Sequence, residues 1–457
     1  MNTKALLFAF LLPGLMLGAD DKTDPQNGAL QTILQRLTAL EDQNRQLLEE
    51  VHALRQEVAA SRSTGAAAAE AAVAVPQPSL DQRVDVAEGR IEEQSQTKVE
   101  AAHKFPVSLT GMLLFNAFTN SRPNNDQSYS YLPSGPSSSG GTLRQSTIGL
   151  QFQGGSLPGG GTVHGDLVMD FFEPADEWWF RLRTGDLTFD WKNRSFSVGQ
   201  YSPLISPYQP SSFAEVGIAP LAGAGNLWLW LPQARYEERI HLGASSGLKV
   251  QIAAIETDED YGLPPGAFNY HLEEYRPGIE GRLAYWHKFD DERRLEIGTG
   301  FHASTTHVLG ASLPSRVYSI DWLAVPWPKL QVTGTLFSGE NFANLGGLPP
   351  GAAVTDSGLS IQPIHGRGGW AQVSSPLTSR LTLNIFGGIQ NNSPPSYVMT
   401  DLTYGGIAQN LSYAGNLMYR ISPNVVISFE ALQARTRLLT EGEQVRNRYD
   451  LAFAYLF

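Results

Sequence analysis

Cysteine is missing from all 457 residues. That removes disulfide staples, thiolate metal centres and cysteine nucleophiles together. Basic charge is scarce: 33 lysines and arginines stand against 45 acidic residues, a formal charge of −12. A nucleic-acid binder needs a basic footprint, so that class is excluded. Beyond the N-terminal signal, no apolar run reaches the ~18 positions of a membrane helix. Catalytic signatures are lacking as well: there is no Gly-x-Ser-x-Gly, no His-Glu-x-x-His and no phosphate loop. His302 and His307 would fall on opposite faces of one strand, and no histidine pair has metal-ligand spacing. Calcium binding by Asp258-Glu259-Asp260 is the one metal reading the sequence offers. An enzyme is not expected, nor a cofactor.

What is present in quantity is glycine (45), proline (28) and aromatic residues (9 Trp, 16 Tyr, 21 Phe), which call for many turns and many half-apolar faces. The C-terminal stretch Arg446–Phe457 shows the pattern at its clearest. Tyr449, Leu451, Phe453, Tyr455 and Phe457 leave one face of a strand, while Arg448, Asp450, Ala452, Ala454 and Leu456 leave the other. An ordinary edge strand of a sandwich would give the same alternation. A membrane barrel turns that aromatic face to lipid.

Residues 1–19 read as an export signal: Lys4, then the apolar run from Ala5 to Leu12, a break at Pro13-Gly14, and Leu17-Gly18-Ala19 before the cleavage point. Residues 20–60 read as a periplasmic coiled-coil stalk. Leu30, Leu37, Asn44, Val51 and Val58 occupy a positions, and Ile33, Leu40, Leu47 and Leu54 occupy d positions. From Leu30 to Val58 a helix rises about 43 Å. Leu34 and Leu48 at e positions widen the seam and favour three strands, whereas Asn44 is also a device of dimers. Residues 61–103 form an Ala-, Ser- and Pro-rich linker followed by a second short helix marked by Leu80, Val84, Ala87 and Ile91.

From residue 104 to 457 the period changes from helical to two. Segments near the ~9–11 residues of a tilted membrane strand recur to the end of the chain. Long polar connections (121–142, 173–177, 202–232, 258–274, about 305–315, 339–365, 391–401, 439–444) alternate with short turns at 154–161, 192–193, 243–247, 289–292, 326–328, 376–379 and 422–424. The fold class expected is an all-β transmembrane barrel of about sixteen antiparallel strands, preceded by an N-terminal α-helical coiled coil. An even count places both ends on the periplasmic side. A propeller would show blade repeats, and none occurs.

The third connection, Ser202–Pro232, is too apolar for a water-exposed loop. It is expected to fold into the barrel, or else to face a neighbouring subunit. Charged residues sort to the lumen, because a charge on the lipid face costs ~2–4 kcal/mol at mid-membrane. Arg144, Arg181, Arg183, Arg235, Arg239, Glu237, Arg282 and Glu215 are therefore the expected lining and selectivity residues. The arginines either draw small anions or pair with Asp166, Asp170, Glu215 and Glu237 to hold the loop.

The ordered series Arg144-Gln-Ser-Thr-Ile-Gly149, Gly165-Asp-Leu-Val-Met-Asp-Phe171, Arg181-Leu-Arg183, Val198-Gly-Gln-Tyr-Ser202 and Pro232-Gln-Ala-Arg-Tyr236 resembles the motifs of DcaP-like trimeric outer-membrane porins. The resemblance covers the stalk and the first third of the barrel. It implies a homotrimer in outer-membrane lipid, passing small anionic or neutral solutes such as dicarboxylates by diffusion, with the stalk in the periplasm and in reach of peptidoglycan. The competing expectation is a structural anchor: a plugged barrel whose stalk links membrane to cell wall.

Overall fold

The computed structural model describes residues 107–121, 138–172, 180–258, 272–274, 276–308, 310–354, 361–394, 406–439 and 442–457. The signal, stalk and linker, and the acidic pair Glu259 and Asp260, lie outside the described residues.

Twenty strands are numbered in chain order: β1 (Val107–Asn120), β2 (Ser139–Thr142), β3 (Thr147–Leu157), β4 (Gly161–Asp170), β5 (Arg181–Asp190), β6 (Arg194–Tyr201), β7 (Leu231–His241), β8 (Ser246–Ile255), β9 (Leu272–Glu274), β10 (Gly278–Lys288), β11 (Arg294–Val308), β12 (Ala311–Trp327), β13 (Leu330–Glu340), β14 (Ala352–Val354), β15 (Ile361–Pro363), β16 (His365–Pro376), β17 (Leu381–Ser393), β18 (Ile407–Ser422), β19 (Val425–Leu438) and β20 (Gly442–Leu456). Four are short additions: β2 on β1, β9 on β11, and the β14–β15 hairpin. The other sixteen form a closed antiparallel barrel. Closure falls on β1, whose first half pairs with β3 from Val107↔Phe152 and whose second half pairs with β20 from Met112↔Leu456.

The wall is apolar outside and polar inside, the reverse of a water-soluble core. On β20, Tyr449, Leu451, Phe453, Tyr455 and Phe457 are exposed, whereas Arg448, Asp450, Ala452 and Ala454 are buried, as the alternation requires. Around the ring Leu113, Phe115, Ile252, Ile279, Leu283, Ile320, Leu336, Ile385 and Phe429 stand exposed, while Asn116, Gln233, Glu280, His302, Asp321, Gln372, Asn416 and Glu430 are buried. Only a lipid surround gives such a wall low free energy, since exposed apolar area costs ~25 cal/mol per Å² in water. The described chain is a membrane-spanning barrel.

Two expected loops are corrected. The break placed around 305–315 is strand on both sides: His307 pairs with Ser312 and Val308 with Ala311. The opening placed at 439–444 is also largely strand, with Leu438 opposite Gly442. Thr305, Thr306, Ser312 and Ser315 read as loop by polarity, yet threonine suits a pleated strand and the two-residue alternation runs on through them. β11 and β12 thus project as a hairpin beyond neighbouring strands.

Candidate functional site

The third connection, residues 202–230, lies inside the barrel, and its hydrogen bonds trace its path. The Leu204 N–H donates to Glu280 Oε2 on β10 at 2.6 Å. The Ser211 N–H donates to Gln372 on β16 at 2.7 Å, and Asn416 on β18 donates to Ser211 O at 2.8 Å. Ser212 Oγ donates to Glu430 on β19 at 2.6 Å, and Asn116 on β1 donates to Phe213 O at 2.7 Å. Gln145 accepts from the N–H groups of Val216 and Gly217 and donates to Ala214 O. Arg181 on β5 donates to Gly217 O. Asn410 on β18 then donates to Gly223 O at 3.2 Å. A loop held in turn by β10, β16, β18, β19, β1, β5 and again β18 circles the lumen.

Close approach explains two of the glycines. Gly225 has φ +100°, and a Cβ there would lie 2.2 Å from Gly369 O. A Cβ on Gly388 of β17 would lie 2.3 Å from Ala224 O. Loop backbone meets wall backbone here without side chains between.

The sixth long connection also folds inward from Phe342 to Leu348, which the sequence reading missed. Its Phe342 and Leu345 pack with Ile205, Leu227, Leu231, Ile255, Val317 and Phe337, and its Leu348 packs with Ala219, Ala222, Trp228 and Ile407. The signal was available: residues 341–354 carry no charge until Asp356 and are as apolar as the third connection.

The structure places the expected lining residues in four distinct settings. At the long-loop end, Arg181 grips the buried Asp170 with Nε at 3.0 Å and Nη2 at 2.6 Å, and Arg183 Nε reaches the same carboxylate at 3.6 Å. Arg144 lies 5.1 Å from the Phe172 ring centre, Arg181 5.2 Å from it, and Arg183 4.6 Å from that of Trp230. Cation–π contact orients the guanidiniums without neutralising them. Arg144 stands in the turn before β3, which begins only at Thr147. Deeper, Arg235 lies over the Tyr201 ring at 4.6 Å and donates to Ser202 O at 2.9 Å, at the root of the third connection.

Toward the short-turn end the charges are matched. Arg239 pairs with Asp190 at 2.5 Å and Glu237 at 3.6 Å, and Glu237 accepts from Gln251 at 2.8 Å. Arg282, 2% exposed, binds Asp321, Glu296 and Gln251, and Lys249 also binds Glu296 at 3.0 Å. Arg239, Lys249, Gln251, Arg282 and Glu296, together with Lys288, Arg294 and the loop residues Pro207 and Tyr208, line a cavity of about 560 Å³.

The expected pairings with Asp166 and Glu215 do not form. Asp166 sits opposite Asp186 in the β4–β5 register. Glu215, 6% exposed, is carried by the loop toward β19–β20, where Glu430, Asp450, Arg446 and Arg448 are likewise buried. Its carboxylate accepts no hydrogen bond among the described residues, and it interacts electrostatically with Arg446. Arginines thus collect along β5–β7, and across the ring of strands the acids Glu215, Glu430 and Asp450 collect beside Arg446 and Arg448.

Solved structures share this fold. The outer membrane channel DcaP of Acinetobacter baumannii aligns with TM-score 0.60 and 14% identity over 77% of this chain and 97% of its own. The anion-selective porin from Comamonas acidovorans aligns with TM-score 0.52 and 13% identity over 77% and 99%. No protein-family model and no curated protein matches the sequence. The likeness concerns the fold, and it is the fold that the motif series implied.

Proposed function

We propose that this chain is an outer-membrane porin that passes small hydrophilic solutes by diffusion, with a preference for small anions such as dicarboxylates. The observation that carries the reading is the third connection folded inside a closed, lipid-facing barrel, where it narrows the path between walls of fixed charge. Arg181 and Arg183 share the single carboxylate of Asp170, and Arg144 lies over the neighbouring Phe172 ring, so the long-loop end carries more positive than negative charge and attracts anions. Deeper charges are balanced, so the entrance supplies the bias. The DcaP-like resemblance supports a homotrimer with the heptad segment as its periplasmic stalk.

One observation favours the second reading, a plugged anchor: two connections, not one, pack into the lumen. Planar-bilayer recording separates the two. The porin gives stepwise conductance in threes and a reversal potential on the anion side in a KCl gradient. A silent barrel means an anchor, and clear cation selectivity sinks the anion preference.

A further inference from the structure

The outward face of β16–β19 changes character sharply near the long-loop end. Ser338, Arg367, Asn391, Gln409 and Arg437 stand side by side across five strands, β13, β16, β17, β18 and β19, in consecutive register pairs. One residue pair nearer the membrane centre the same strands present Leu336, Gly369, Ile389 and Leu411, and then Arg435 on β19. The lipid-facing surface therefore passes from aliphatic to arginine and amide within one step along each strand, ~7 Å. Farther out, Arg316 and His365 flank Glu340 at 3.5 Å each.

The polar belt is ordered rather than merely wet. Tyr413 donates to Gln433, and Gln433 donates to Asn447 at 2.7 Å and accepts from Arg435 Nε at 2.9 Å. Arg435 remains 43% exposed, with Glu443 no closer than 3.7 Å. Arg367 and Arg437 are exposed, and no described carboxylate lies within ion-pair distance of either. On a chain of charge −12, the described residues of this rim carry four arginines, Arg316, Arg367, Arg435 and Arg437, against Glu340 and Glu443.

We propose that this belt is a binding site for the phosphorylated headgroup of an outer-leaflet glycolipid. The long connections mark the outer end of such barrels. There, directly above the aliphatic band, a lipid presents its headgroup. Guanidinium groups pair bidentately with phosphate oxygens, and the belt supplies amide donors between them. Arg367 and Arg437 stand three strands apart, ~14 Å at strand spacing, so one headgroup carrying two phosphates spans them. The site faces away from the lumen and is independent of whether the barrel conducts.

The test uses the full chain purified in detergent, with diphosphorylated lipid A as probe and its dephosphorylated form as comparison. The native protein retains the phosphorylated lipid at least tenfold more strongly, and Arg367→Gln/Arg435→Gln/Arg437→Gln abolishes the difference. Inorganic phosphate at millimolar concentration fails to displace the lipid, because acyl chains contribute. Equal retention of the two lipids by the native protein overturns the proposal, whatever the variant does. Full displacement by inorganic phosphate overturns it too, identifying a free-anion site. So does efficient crosslinking between copies through Arg437→Cys, unambiguous in a chain without cysteine, which would show the face covered by protein.

Discussion

Replacing Arg282 with methionine should cost stability and leave ion selectivity nearly unchanged, although its sequence position marks it as a selectivity residue. Its guanidinium gives Nε to Asp321 Oδ2 at 2.9 Å and Nη2 to Asp321 Oδ1 at 2.5 Å, with further bonds to Glu296 and Gln251 at 2.9 Å each. Arg282 is 2% exposed and Asp321 0%. Removing one partner of a buried pair leaves the other charge stranded, which costs ~3–5 kcal/mol. Lys249 still holds Glu296 after the change, so the loss belongs at the low end, about 3 kcal/mol. Arg282→Met/Asp321→Leu removes both charges and should recover most of it, since a buried pair exchanged for apolar groups is often neutral. The assay is urea unfolding of the lipid-reconstituted barrel, followed by heat-modifiable gel mobility, with the single and double variants forming a cycle. A coupling of about 2 kcal/mol or more is expected. If Arg282→Met alone lies within about 1 kcal/mol of the native protein, or the double loss equals the sum of the single losses, the tie is not structural and the reasoning fails.

The charges at the long-loop end should behave in the opposite way. Arg144→Gln/Arg183→Gln is expected to shift the reversal potential toward cations by several millivolts in a tenfold KCl gradient; an unchanged potential places the bias elsewhere. Gly388→Val must push the loop carbonyl of Ala224 off the wall, because even a Cβ would lie 2.3 Å from it. Overpacking of this kind costs ~1–3 kcal/mol, too little to expel a loop held from several strands, so single-channel conductance should fall while the barrel still assembles. A conductance unchanged within error would mean the loop does not bound the path. Phe457→Ala should lower assembly yield in cells, since the ring covers Gly111 beside the β1–β20 closure; wild-type yield would remove that role.

Strand count, the lipid-facing alternation and the inward third connection were legible because each depends on local rules. Side chains two apart share a face, charges avoid lipid, and apolar loops avoid water. What the rules cannot give is partnership across the lumen. Alternation points Arg282 inward, but nothing near it in sequence names Asp321, 39 residues away. Glu215 was expected beside the β5–β7 arginines, yet its place depends on where the loop turns, and the bonds of Ser212 to Glu430 and of Gln145 to Val216 deliver it to Arg446 instead. Gly298 shows how packing writes such a pairing into sequence indirectly. A Cβ there would lie 2.7 Å from both Arg282 Nη2 and Asp321 Oδ2, so a side chain on the inward face of β11 would split the pair. A glycine among β-branched neighbours was readable as close approach, but what approaches is known only once the ring has closed. The same holds for selectivity. Inward arginines are visible in a sequence, but whether each attracts solute or holds wall to wall depends on the carboxylate that closure brings to it. Arg282 and Arg239 both meet carboxylates that only closure supplies, Asp321 and Asp190.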